Sequence, residues 1–281
     1  MRLLLQLAPK ENIAYEQIHS YLFQSFIYSL LKRTDFEFLH ASKSFKYFCF
    51  SNFFPISDFK ENEPKNVLIS SPNRDFLQVV YKQLKELKDQ KIRLGAHSFS
   101  VKNVKKLKVK LRFPWETATP IVLNKEKIAK VKYSTGFTEE VKIPLENARE
   151  IISQIKRRVN AEVKIADVYF SFRRGDNLAS WLEILRRNSL AKYNSYFNTD
   201  FELSEPLFDN LHFRKEVSIK VRIKSRGDVI YIGSHWKSLS VLRKLDREER
   251  KFYSFLMDCG LGRLNSLGFG FVNPRQSHEK F

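Results

Sequence analysis

The sequence predicts an α+β protein in which one six-element pattern occurs twice in tandem. Three observations point there. The order strand, helix, strand, strand, helix, strand can be read from the first residues to about 115, and again beyond, which is the ferredoxin-like (RRM-like) order. A break with two prolines, "FPWETATP" (113–120), separates the two readings. Hydrophobic residues make up 43% of the 281 and aromatics 14%, enough for a core in each half. The expected domains are 1–115 and 116–281, the second with an insertion and a C-terminal glycine-rich loop.

The elements follow from local pattern. "RLLLQL" opens the chain as a short strand. In "AYEQIHSYLFQSFIYSLLKR" (14–33), Tyr15, Ile18, Leu22, Phe26 and Leu30 form a helical stripe. "KYFCF" (46–50) and "NVLISS" (66–71) read as strands, and "RDFLQVVYKQLKELKDQ" (74–90) as a helix with Phe76, Val79, Val80 and Leu84 inward. "KKLKVKLRF" (105–113) closes the first pattern as a strand. After the break, "PIVLN" is expected to be a strand, and 125–176 is less legible and read as the insertion. A helix over 177–197, a hairpin around Gly227, a helix over 240–259 and a last strand "GFGFV" (268–272) complete the second pattern.

Charge narrows the function. Fifty Lys+Arg against 31 Asp+Glu give a net +19, more than solubility needs, and point to a polyanion. The N-terminal apolar run is too short for a signal peptide, and no stretch reaches the ~20 apolar residues that cross a bilayer. That leaves nucleic acid ahead of a membrane. Two cysteines, Cys49 and Cys259, make neither a disulfide framework nor a zinc site, so the chain reads as intracellular and cytoplasmic. No metal-ligand motif or carboxylate cluster is visible, so no cofactor or metal is expected; "LDREER" reads as a solvated helix face.

Two rows of cations suit phosphates. In "KLKVKLRF", Lys106, Lys108, Lys110 and Arg112 alternate with Leu107, Val109, Leu111 and Phe113. In "VSIKVRIK", Lys220, Arg222 and Lys224 oppose Val217, Ile219, Val221 and Ile223. Each reads as a basic sheet face able to track an RNA backbone. Neither half has the aromatic RNP motif, so bases are not expected to stack on the sheet.

Four of the nine glycines (Gly260, Gly262, Gly268, Gly270) fall within "GLGRLNSLGFGFV". A dinucleotide fingerprint must follow a strand and open a helix, and here the order is reversed. A P-loop needs G-K-[ST], and Gly268 is followed by Phe. What remains is a loop that leaves a helix and enters a strand, its backbone free to approach something closely, with Arg263 added as a phosphate contact. This layout resembles the glycine-rich loop of the RAMP superfamily, and most closely that of the CRISPR-associated endoribonucleases that process precursor CRISPR RNA. "TPIVL" (119–123) and "NSLAKY" (188–193) are similar to that family's second-domain start and helix motif.

The resemblance implies metal-independent cleavage of repeat RNA: the ribose 2′-OH attacks the adjacent phosphate, leaving a 2′,3′-cyclic phosphate and a 5′-OH, with the crRNA retained. Such chemistry needs a base, an acid and a cation. Of the six histidines (His19, His40, His97, His212, His235, His278), His40 stands where the family's catalytic histidine stands, after the first helix and before the second strand. Lys46 would supply the cation, with Lys43 competing. Tyr28 would be the third member, about 140° around the helix from the apolar stripe and so able to face a cleft; Tyr21 shares that side. The alternatives are a repeat-RNA-binding RAMP protein without cleavage activity, or a structural subunit of a CRISPR effector complex. The expected partners are repeat RNA, single-stranded or hairpin, and effector subunits, for a monomer or homodimer.

Overall fold

The computed structural model describes residues 1–42, 44–144, 147–158, 162–223 and 227–275; Lys43, Lys224 and His278 lie outside them. The first half runs β1 (Arg2–Pro9), α1 (Ser20–Leu30), β2 (Cys49–Phe50), β3 (Lys65–Ser70), α2 (Arg74–Glu86), β4 (Lys91–Leu94) and β5 (His97–Leu107). Its antiparallel sheet has the order β2-β3-β1-β5-β4. Leu3, Leu5 and Leu7 alternate along β1 and meet Phe23, Phe26, Ile27 and Leu30 of α1 and Phe76, Leu77, Val80 and Leu84 of α2 in one buried cluster. Every second residue of a strand points to one face, so β1 carries the centre of this core.

The second half repeats the order around an insertion. It holds β6 (Trp115–Thr117), the insertion β7 (Asn124–Lys132), β8 (Thr138–Pro144), α3 (Ala148–Arg158) and β9 (Glu162–Tyr169), then α4 (Leu178–Phe197), β10 (Asn210–Ile223), β11 (Gly227–Ser240), α5 (Arg247–Cys259) and β12 (Val272–Pro274). The sheet order is β10-β11-β6-β12, the ferredoxin-like arrangement once the insertion is set aside. The insertion makes its own antiparallel sheet, β8-β7-β9, whose Ala129 and Ile143 are buried in one cluster with Ala148 of α3.

Several elements differ from expectation, each for a local reason. The first helix starts at Ser20, because Tyr15–Gln17 is a separate 3₁₀ turn and His19 is extended. That shifts the buried stripe to Phe23, Phe26, Ile27 and Leu30, leaving Leu22 only partly covered. The strand expected at 105–113 instead ends at Leu107 and begins at His97, paired with β4 through a tight turn at Gly95. The proline break itself contains β6, ahead of "PIVLN", whose Ile121 and Val122 make only isolated bridges. The helix expected from 240 starts at Arg247, since β11 runs to Ser240 and Asp246 accepts a hydrogen bond from the Glu249 N–H as a cap. The acidic run is thus a helix cap as well as a solvated face, with Asp246, Arg247, Glu248 and Arg250 exposed. The last strand begins at Val272, because 268–271 belong to the loop.

Arg2 locks the halves together. It is 1% exposed and donates to Asn273 Oδ1 (2.6 Å), Met257 O (2.8 Å) and Val272 O (2.8 Å), with Asp258 Oδ1 at 3.7 Å. The Met1 ammonium donates to Asp258 Oδ2 (2.9 Å), and Ser70 Oγ to Asp258 O (2.7 Å).

Candidate active site

The glycine-rich loop leaves α5 and doubles back on itself. The Leu261 N–H donates to Gly270 O (2.9 Å), Arg263 N–H to Val122 O (2.9 Å) and Gly270 N–H to Pro120 O (2.8 Å), while Thr119 Oγ1 accepts from Phe271 N–H (2.8 Å). "TPIVL" is thus the bed on which the loop lies. All four glycines are buried. At Gly270 (φ 73°) a Cβ would stand 1.8 Å from Leu261 O, and at Gly268 (φ 85°) it would stand 2.5 Å from Phe50 Cε2. The close approach that these glycines permit is to protein, and the half-buried segment between them, Arg263–Ser266, is what the loop presents outward.

Tyr28, His40 and Lys46 come together beside that segment. The Tyr28 and His40 rings meet edge-to-face with centroids 5.2 Å apart. His40 is exposed and caps the turn Glu37–Leu39. The Lys46 ammonium reaches back to donate to the Leu39 and Ser42 carbonyls, which holds it to the loop that carries His40. Burial pushes the Lys46 pKa down. Burial also pushes Tyr28 up, opposed by hydrogen bonding to Ser266 and Gln24, so its hydroxyl is protonated at neutral pH. Gln24 Nε2 in turn donates to Ser266 Oγ (3.2 Å).

From Lys46 an open cleft of about 870 Å³ runs between the two halves, lined among others by Phe45, Lys125, Arg187, Arg263 and Ser266. Arg263 makes no ion pair among the described residues, so its guanidinium is available to an anion.

Neither basic row stands free along its whole length on a sheet face. Lys106 does not share an open sheet face with the rest: its ammonium lies over the Tyr81 ring (4.3 Å) and donates to Gln78 Oε1 (2.8 Å), both on α2. Lys108, Lys110 and Arg112 are exposed but lie past the end of β5, on an extended connector whose Val109, Leu111 and Phe113 pack on the second core. Lys220 and Arg222 stand exposed on β10, where Asp228 of β11 faces them at 2.7 Å and 2.9 Å. Those cations hold the Asp228 carboxyl far below its ordinary range. The row is half neutralised, because the hairpin register sets Arg222 opposite Asp228.

Lys192, in the middle of "NSLAKY", escaped the sequence reading. It is 1% exposed, and Nζ donates to Gly260 O (2.6 Å), Gly262 O (3.0 Å) and Asn265 Oδ1 (3.0 Å). A signal was present: Lys192 falls in phase with Trp181, Leu185 and Ser189 on the buried side of α4.

Comparison with known proteins agrees with this architecture. Residues 151–274 match the family "CRISPR associated protein Cas6, C-terminal". The chain is 36% identical over 278 residues to CRISPR-associated endoribonuclease Cas6 2 of Methanocaldococcus jannaschii, covering 98% of this chain and 99% of that one. It is 22% identical to CRISPR-associated endoribonuclease Cas6 of Haloferax mediterranei, covering 97% and 93%. A solved structure described as CRISPR associated protein Cas6 superposes with a TM-score of 0.64 at 22% identity, covering 98% and 99%. Another, described as an RAMP protein binding different RNA substrates, gives 0.58 at 14%, covering 98% and 100%.

Proposed function

The chain belongs to the Cas6 family of CRISPR-associated proteins, and from that premise we propose that it cleaves CRISPR repeat RNA in precursor transcripts without a metal and keeps hold of the product. One observation supports this reading: the Tyr28 ring of α1 meets the His40 ring, and Lys46, bonded to the loop that bears His40, lines a cleft together with Lys125, Arg187 and Arg263. In the proposed step the 2′-OH loses its proton, O2′ bonds to the adjacent phosphorus, and the bond from phosphorus to the 5′-oxygen breaks as that oxygen gains a proton. His40 serves as general acid or base for one of these transfers. The Lys46 ammonium stabilises the charge on the phosphorane, and the protonated Tyr28 hydroxyl positions the 2′-OH. Arg263 and the exposed Lys108, Lys110 and Arg112 bind phosphates, while the buried glycines shape the loop that carries Arg263.

The rival reading, repeat binding without cleavage, draws on the exposure of His40, whose imidazole has no hydrogen-bond partner among the described residues to orient it. Incubating a labelled repeat RNA with the protein in EDTA separates the two. Cleavage to a 2′,3′-cyclic phosphate and a 5′-OH supports the proposal. Tight binding with an intact repeat would establish the rival.

A further inference from the structure

We propose that Lys192 is a positioning residue for RNA cleavage: from behind the glycine-rich loop it sets the place of Ser266 against Tyr28. The inference rests on the endoribonuclease reading above.

An ammonium has three protons to donate, and Lys192 places all three on one loop, at Gly260 O, Gly262 O and Asn265 Oδ1. Asn265 extends the hold, its amide donating to Leu261 O and Phe269 O, each at 2.9 Å. One lysine and one asparagine therefore fix five oxygens of the segment 260–269. No carboxylate pairs with this charge among the described residues; its titratable neighbours are the buried thiols Cys49 and Cys259, both held neutral because burial raises them. Burying an unpaired ammonium costs several kcal/mol, and an apolar side chain of similar length would pack α4 against the loop without that cost. What the ammonium adds is direction, since each acceptor must point at one nitrogen.

The output of that constraint lies on the other side of the loop. Ser266 follows Asn265 directly and accepts from Gln24 Nε2 (3.2 Å), and Ser266 and Gln24 both oppose the rise that burial imposes on the Tyr28 pKa. Gln24 and Tyr28 are one turn apart on α1, so the second half reaches the site in the first half through this serine. A displacement of about 1 Å in a positioned group can cost about 100-fold in rate.

The test uses Lys192→Met and Ser266→Ala in the full chain, each alone and combined with Tyr28→Phe. Single-turnover cleavage at saturating repeat RNA is measured beside filter-binding affinity. Lys192→Met is expected to slow cleavage about 10- to 100-fold and Ser266→Ala about 3- to 10-fold, with affinity held within about threefold. In the Tyr28→Phe background both effects should largely vanish, since coupled residues are non-additive. If Lys192→Met does not fold, the half-buried Ser266 carries the decision alone. Wild-type rates in the variants that fold, or effects that simply add to that of Tyr28→Phe, overturn the inference while leaving the function intact. A wild-type chain that never cuts removes the function and the inference together.

Discussion

At the scale of single residues, the proposed site joins Tyr28 of α1 to His40 and Lys46 of the loop that follows it. Lys46 is tied to the carbonyls of the loop that bears His40, so the cation is held to that loop. His40→Ala should slow single-turnover cleavage roughly 10²–10⁴-fold with little change in binding, the usual worth of a positioned proton-transfer group. Lys46→Ala should behave similarly, and Tyr28→Phe more mildly. A His40→Ala enzyme that cuts at the wild-type rate would move the proton transfer elsewhere. None of this geometry is written in the sequence: Tyr28 and His40 lie twelve positions apart, and only the path of the chain after α1 brings their rings to 5.2 Å.

At the scale of elements, the glycine-rich loop and the β10–β11 hairpin each make a claim of their own. Gly270→Ala pushes a methyl into Leu261 O at 1.8 Å, a backbone atom that cannot turn aside. Thermal melts should show destabilisation by more than ~4 kcal/mol or no folding at all. Gly136→Ala, at a similar φ of 86° but with open space around it, should cost only about 1–2 kcal/mol, the strain of the left-handed backbone alone. Equal destabilisation would mean that backbone strain, not the clash, makes Gly270 necessary. On the hairpin, Asp228→Asn releases Lys220 and Arg222 from their shared partner. If that face meets RNA, affinity should rise and its salt dependence steepen, whereas unchanged binding would turn the face away from RNA. Neutralising Lys108, Lys110 and Arg112 should flatten the salt dependence by about 0.7 log units for each single-strand phosphate that these cations neutralise. The connector cations keep their alternating exposure although the strand ends before them, because Val109, Leu111 and Phe113 still have a core to pack on.

At the scale of the whole molecule, buried polar groups hold the second half and the seam. Arg2→Met would leave three oxygen acceptors without their donor while Asp258 keeps the Met1 ammonium, and urea unfolding should show stability lower by roughly 3 kcal/mol. His235, half-buried beside Thr117 Oγ1 (3.3 Å), has its pKa pushed down to about 4, chiefly by burial, with Thr117 opposing and Lys215 and Arg214 assisting. Its folded pKa lies below the unfolded value near 6.5, so only the unfolded chain gains its proton as pH falls from about 6.5 to 4. Stability should therefore drop over that window by up to about 3 kcal/mol, less where solvent screens the part-exposed ring, and level off below it. A His235→Gln variant should lose that part of the pH dependence, and a wild-type profile in the variant would assign the drop to other groups.

The alternation of apolar residues and the proline break were enough by themselves to determine the two-fold element order, because these are periodic or local signals, and the glycine-rich loop with "TPIVL" and "NSLAKY" carried the resemblance to the family. Element edges slipped where a cap or turn decided them: His19, Gly95 and Asp246 each moved a boundary that hydrophobic periodicity cannot locate. The partners of charges belonged to the tertiary structure alone. Asp228 faces Arg222 only through hairpin register, Lys106 turns to α2 rather than to an open sheet face, and Lys192 holds its charge inside the protein. A lysine in a sequence reads as a solvated cation, and whether it meets water, a carboxylate or three buried oxygens depends on segments far along the chain that only folding brings beside it.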